Sequence, residues 1–230
     1  MRLSGLQRVT LLDYPGKVAA TVFLGGCNFR CPYCHNASLV ENVSRVDDIP
    51  EAEFISFLKK RKGLLDGVCV SGGEPLLQEG LAPFLTQIKA LGFLVKLDTN
   101  GSFPARLQAL VEGGLVDYVA MDIKNSPAKY RATAGVTADI LPAIRQSVSY
   151  LLAAPVGYEF RTTLVRSLHT VEDITEIAQW IRGADRFFLQ NFEDSGDVLQ
   201  PGLEGFTLAE MDAFLQAAQA FVPAAQVRNP

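Results

Sequence analysis

Scarcity is the first informative property of this 230-residue chain, which has four cysteines, two histidines and one tryptophan. Four cysteines are too few to staple a domain of this length, and Cys27, Cys31 and Cys34 crowd into a single short segment. That spacing points to a metal or cluster site and a reducing compartment, not to cross-links. No apolar run reaches spanning length, and Arg2 and Arg8 place charge where a secretory leader would be apolar, so a cytoplasmic protein is expected. The formal net charge of −4 gives no general pull toward nucleic acid or an anionic membrane, and neither is expected as a partner. Internal repeats, low-complexity runs and linkers rich in Gly, Pro or Ser are also missing, so a single domain over 1–230 is expected.

What the chain does have is alternation. Short β-branched or aromatic runs at 18–24, 67–71, 94–98, 117–123, 159–164 and 186–190 predict six strands. Helical patterns fall between them at 51–62, 81–91, 104–112, 139–152 and 171–181. Strand–helix repetition of this kind builds a parallel sheet through right-handed crossovers, and six units predict an α/β fold with a partial (β/α)6 barrel. The turn Asp13-Tyr14-Pro15-Gly16-Lys17 after 8–12 predicts a small hairpin at the edge. The expected layout is therefore an N-terminal hairpin at 1–17, a barrel core at 18–191 and a C-terminal extension at 192–230 with an amphipathic helix over 207–221.

The cysteine loop Cys27-x3-Cys31-x2-Cys34 follows the first barrel strand, at the end of the barrel that carries chemistry in such folds. Three clustered thiolates can hold a four-iron cube while leaving one iron open to a substrate. A structural zinc site is the plain alternative, but it needs a fourth ligand, and only adjacent His35 and distant Cys69 are at hand. Cys69 lies inside an apolar strand and reads as buried packing. An electron-transfer ferredoxin would need a fourth ligand to close its cluster.

Further strand ends carry polar groups toward the same rim. The second strand runs into Ser71-Gly72-Gly73-Glu74-Pro75, where paired glycines permit close backbone approach and Glu74 offers an acceptor for an ammonium group. The third ends Asp98-Thr99-Asn100-Gly101 and the fourth Met121-Asp122-Ile123-Lys124, so two acids and a lysine meet there. The alternative for these is ordinary strand-end capping. Arg161 on the fifth strand and His169 beyond it are weaker candidates, His169 reading equally well as a surface residue at a helix start.

The cysteine loop, with aromatic Tyr33 before its third cysteine, resembles the radical S-adenosylmethionine superfamily. Together with 11–17, His35-Asn36, the Ser71–Pro75 turn, Asp98–Gly101, Asp122–Lys124 and Gln190-Asn191, it is similar to glycyl-radical-enzyme activases, above all those of anaerobic ribonucleoside-triphosphate reductase. The resemblance implies a [4Fe–4S] cluster on Cys27, Cys31 and Cys34. S-adenosylmethionine would be contacted by Tyr33, Gly72, Gly73, Glu74, Pro75, Asp98, Asn100, Lys124, Arg161 and His169. It also implies a monovalent cation at Asp98, Thr99 and Asp122, a large glycyl radical enzyme as partner, and reduced flavodoxin or ferredoxin as electron donor. No second cysteine group follows the loop, so a single cluster is expected. A pyruvate formate-lyase-like partner, a radical enzyme acting on a small molecule and a non-catalytic metal module stay open as other readings.

Overall fold

The computed structural model describes residues 3–41 and 48–228. Residues 1–2 of the expected hairpin, 42–47 of the expected barrel core and 229–230 of the expected extension lie outside the described residues.

Six-residue runs such as Ala-Ala-Thr-Val-Phe-Leu and Gly-Val-Cys-Val-Ser-Gly are apolar on both faces, the pattern of strands that are covered on both sides. They form β2 (Ala19–Leu24) and β3 (Gly67–Gly72), followed by β4 (Leu94–Thr99), β5 (Tyr118–Asp122), β6 (Gly157–Leu164) and β7 (Phe187–Asn191). All six are parallel and neighbour one another in chain order, as the strand–helix alternation predicts. The helices are α1 (Ala37–Glu41), α2 (Glu51–Lys59), α3 (Leu81–Ala90), α4 (Pro104–Glu112), α5 (Tyr130–Thr133), α6 (Leu141–Leu152), α7 (Val171–Trp180) and α8 (Leu208–Gln219). The longer ones bury one apolar stripe each, as α7 does with Ile174, Ile177 and Ala178. Capping boxes fix the starts of α7, through Thr170 and Asp173, and α8, through Thr207 and Glu210.

Two edges differ from expectation. The first strand, β1 (Leu3–Thr10), begins well before residue 8 and pairs antiparallel with β2, with register breaks between Leu3 and Gly5 and between Gln7 and Thr10. Such breaks destroy the two-residue alternation by which a strand is read from sequence. At the far edge, β8 (Ala225–Arg228) adds a seventh parallel strand beside β7. Its four residues hold a single β-branched side chain, Val227, so their extended form comes from pairing with β7 and not from propensity. Among the described residues the sheet runs β1 to β8 and stays open: β8 pairs with β7, and β1 pairs with β2 apart from an isolated antiparallel bridge between Leu3 and Ile49.

The C-terminal ends of β2 and β3 approach so closely that the link between them is made of glycine. Gly73 donates its N–H to the Leu24 carbonyl, and Glu74 donates to the Gly26 carbonyl, both at 2.8 Å. A Cβ on Gly73 would lie 1.9 Å from the Gly26 carbonyl oxygen, and Gly72, at φ +116°, would put one 2.3 Å from the Leu24 nitrogen. Gly73→Ala must push two strand ends apart, so it is expected to cost more than about 2 kcal/mol in a denaturant titration. An unchanged midpoint would show that the two loops are not locked together.

Candidate active site

Three loops and four strand ends surround one cavity of about 370 Å³, inside the range of roughly 300–1,000 Å³ usual for small-molecule sites. Cys27, Cys31 and Cys34 all line it, together with Tyr33 from the same loop. The loop is held by its own backbone and its neighbours. Arg30 donates to the carbonyls of Cys27 and Phe29 at 2.7 and 2.8 Å, its N–H donates to the Ala134 carbonyl, and the Cys34 N–H donates to the Cys31 carbonyl. From the C-terminal side, the Gln200 N–H donates to the Pro32 carbonyl, and Asp197 accepts from Ser38 Oγ at 2.7 Å at the start of α1. The segment after β7 therefore straps the cysteine loop in place.

Burial pushes the Cys27 thiol up to about 11 and the Cys31 thiol up to about 12. Burial thus disfavours the thiolates, so a metal centre seated here must itself displace the thiol protons. No three His, Cys, Asp or Glu side chains among the described residues are gathered to hold a metal ion. A four-iron cube spreads its thiolates more widely than a single ion does. The donor set fits such a cluster: three free thiols share one cavity, and backbone and amide donors reach sulfur, Phe29 N–H at 3.3 Å and Asn100 Nδ2 at 3.9 Å from Cys27 Sγ. Among the described residues the buried Tyr33 hydroxyl has no hydrogen-bond partner.

Beside Cys27 the wall continues into the Ser71-Gly72-Gly73 turn, and Asp98, Thr99, Asn100, Asp122, Lys124 and Arg161 form what we call the floor. The parallel register sets Asp122 beside Arg161 on β5 and β6. Arg161 spans two acids, its Nε 2.9 Å from Asp122 Oδ1 and its Nη1 3.2 Å from Asp98 Oδ2. Lys124 Nζ lies 3.0 Å from Asp122 Oδ2. Burial alone would raise both acids, but Arg161 with Lys96 at Asp98, and Arg161 with Lys124 at Asp122, hold them below the usual carboxylate range.

Three residues expected to touch a cofactor stand behind the wall. Glu74 is wholly buried, its carboxylate accepting from Leu76 N–H at 3.0 Å, Thr99 Oγ1 at 2.8 Å and Asn100 N–H at 2.6 Å. It ties the β3 turn to the end of β4 and is not among the residues that line the cavity. Pro75 is buried at the start of the short 3-10 turn Pro75–Leu77. His169 is 2% exposed, so it is no surface residue either. Its Nδ1 accepts from the Val165 N–H at 3.1 Å, which leaves Nε2 as the donor to the Lys124 carbonyl at 2.9 Å. The imidazole is thus a brace between two loops, and burial lowers its basicity.

The cation ligands expected at Asp98, Thr99 and Asp122 are likewise engaged. The Thr99 hydroxyl donates to Glu74 and accepts from Gly101 N–H at 3.1 Å, and both acids are paired with protein cations. Sequence reasoning missed Asp13, which reaches the cavity from the turn after β1 and accepts from Thr21 Oγ1. It also missed Lys96, whose signal was present: a charged residue two before Asp98 in an otherwise apolar strand shares its face.

Comparison with known proteins accords with this geometry. The chain matches the Radical SAM superfamily over residues 21–184. A protein of Methanocaldococcus jannaschii named as a glycyl-radical enzyme activating enzyme is 35% identical over 196 residues, 83% of this chain and 80% of that one. The pyruvate formate-lyase-activating enzyme of Clostridium pasteurianum is 33% identical over 129 residues, 54% of this chain and 52% of its own length. The crystal structure of Streptococcus suis SuiB bound to S-adenosylmethionine superposes with a TM-score of 0.67 at 14% identity, over 91% of this chain and 51% of that one, and so shares the fold. The chain belongs to the radical SAM superfamily, whose members imply a [4Fe–4S] cluster and S-adenosylmethionine. No described helix is long and apolar enough to cross a membrane.

Burial pushes the Glu74 carboxyl up to about 7, its three hydrogen-bond donors pulling it partway back. Its folded-state value exceeds the unfolded one, so ionising it costs stability. The cost is absent below about pH 4, grows as pH rises, and is complete above about pH 7, reaching about 3 kcal/mol. The stability of the wild type relative to Glu74→Gln is therefore expected to fall by that amount between about pH 4.5 and about pH 8 in denaturant titrations. A pH-independent difference would show that Glu74 titrates normally.

Proposed function

We propose that this chain is a glycyl-radical-enzyme activase, and that its partner is an anaerobic ribonucleoside-triphosphate reductase. The observation that carries this reading is the convergence of all three loop thiols on one cavity with the glycine turn and the Asp98, Asp122 and Lys124 strand ends. The names of the relatives from M. jannaschii and C. pasteurianum support the activase class. The choice of partner rests on the combined resemblance carried by 11–17, the cysteine loop with His35-Asn36, the Ser71–Pro75 turn, Asp98–Gly101, Asp122–Lys124 and Gln190-Asn191, and a pyruvate formate-lyase-like enzyme is the neighbouring alternative.

Cys27, Cys31 and Cys34 would hold the [4Fe–4S] cluster, which supplies one electron to split S-adenosylmethionine into methionine and a 5′-deoxyadenosyl radical. That radical would take the hydrogen atom from a glycine α-carbon of the partner, giving 5′-deoxyadenosine and a glycyl radical. The chain's own residues set the conditions. Arg161 and Lys124 give the floor donors for a carboxylate, and Gly72 and Gly73 let the backbone come close to a ligand. Asn100, fixed at 3.0 Å to Asn28, holds the strand end against the cysteine loop. Tyr33, Phe29 and Val40 line the chamber with apolar surface, which keeps water from a reactive radical. Reduced flavodoxin or ferredoxin would serve as electron donor.

The test is anaerobic reconstitution with iron and sulfide, then reduction in the presence of S-adenosylmethionine. The expected result is about four irons per chain, with 5′-deoxyadenosine formed by the wild type and not by Cys31→Ala. Addition of an anaerobic ribonucleotide reductase large subunit is expected to yield a glycyl radical signal in electron paramagnetic resonance. Deoxyadenosine without that signal, but with one on a pyruvate formate-lyase-like enzyme, would move the partner assignment. No deoxyadenosine from a loaded cluster would overturn the activase reading.

A further inference from the structure

The floor of the cavity is built on a lysine that the reaction outlined above does not use. Lys96 is 1% exposed, points into the barrel, and ion-pairs with Asp98 Oδ1. Asp98 accepts from three more donors: Cys69 Sγ at 3.7 Å on Oδ1, and Ser71 Oγ at 3.1 Å and Arg161 Nη1 at 3.2 Å on Oδ2. A carboxylate offers about four acceptor positions, so Asp98 has none left for a free ion. Asp122 is held on both oxygens by Arg161 and Lys124. Asp98 and Asp122 are thus met by three protein cations, Lys96, Lys124 and Arg161, with no negative charge left over at this pair for a further cation. The expected cation ligands therefore do not fit a monovalent cation.

We infer that Lys96 is a tethered substitute for that cation, its ammonium group neutralising Asp98 from inside the barrel, and that this chain binds S-adenosylmethionine without any added monovalent cation. An ammonium carries the same single charge as potassium and, fixed on a strand, needs no ion to be captured from solution. Burial opposes the charge on Lys96, but the Asp98 carboxylate beside it more than offsets this and holds the amine protonated. Arg161 completes the substitution by bridging Asp98 to Asp122. Lys96 thereby acts as a positioning residue: it touches Asp98, and Asp98 lines the cavity. The inference rests on S-adenosylmethionine occupying this cavity, but not on the identity of the partner.

The cluster-loaded protein is titrated with S-adenosylmethionine by anaerobic equilibrium dialysis, in potassium chloride and in tetramethylammonium chloride at equal ionic strength. Wild-type dissociation constants are expected to agree within about twofold, while Lys96→Ala, which opens space beside Asp98, should bind about tenfold more weakly in tetramethylammonium and recover in potassium, a coupling of ordinary size for linked ligands. A second readout needs no cluster: potassium should raise the melting temperature of cluster-free Lys96→Ala and leave that of the wild type unchanged. A wild type that needs potassium to bind would overturn the inference while leaving the cofactor assignment intact, and this arm decides even if the variant fails to fold. Absence of wild-type binding in both salts would overturn the cofactor assignment together with the inference.

Discussion

Five ionisable side chains, Lys96, Asp98, Asp122, Lys124 and Arg161, come together at the C-terminal ends of adjacent strands, and none could be left there without the others. A buried charge stripped of its partner costs several kcal/mol, so the cluster commits β4, β5 and β6 to one register. In that register Asp122 sits beside Arg161, and Arg161 can reach back across to Asp98. The strand ends then form a floor of fixed, paired charges that need little reorganisation when a charged ligand arrives.

The glycine contact between the β2 and β3 loops extends the same constraint to the cluster side. Gly73 meets Gly26 at a distance no side chain tolerates, and Glu74 carries the link onward into the end of β4 through Thr99 and Asn100. Asn100 returns it to the cysteine loop through Asn28. A closed circuit of backbone and side-chain hydrogen bonds thus joins the thiols to the charged floor. On the far side, His169 braces the Lys124 carbonyl, while Asp173 accepts from Ser126 Oγ at 2.9 Å and caps α7. Residues that look catalytic in isolation, Glu74 and His169, work here as such braces.

The same circuit explains the division between residues that face the cavity and residues that serve it. Asp13 belongs to the first group although it comes from a turn at the open edge, because the segment after β1 folds back toward Thr21 on β2.

By itself the sequence determined the six parallel strands, the cysteine loop at the end of the first of them and the rim positions of Asp98, Asp122 and Lys124, because each is written in local pattern. Apolar runs of strand length, turn residues and a three-cysteine spacing need no distant partner to be read. Tertiary structure alone decided what each rim group does. Glu74 could be recognised as a brace only once Leu76, Thr99 and Asn100 were found on its oxygens, and His169 only once both ring nitrogens were seen to meet backbone. The extent of β1 and the existence of β8 were hidden for a related reason: register breaks erase alternation in one, and the other is extended only because β7 offers it a partner. The pairing of Lys96 with Asp98 was half legible, since two charges on one face of a buried strand must find counter-charges. That Arg161 would supply the other depended on the parallel register between β5 and β6, which no local pattern encodes.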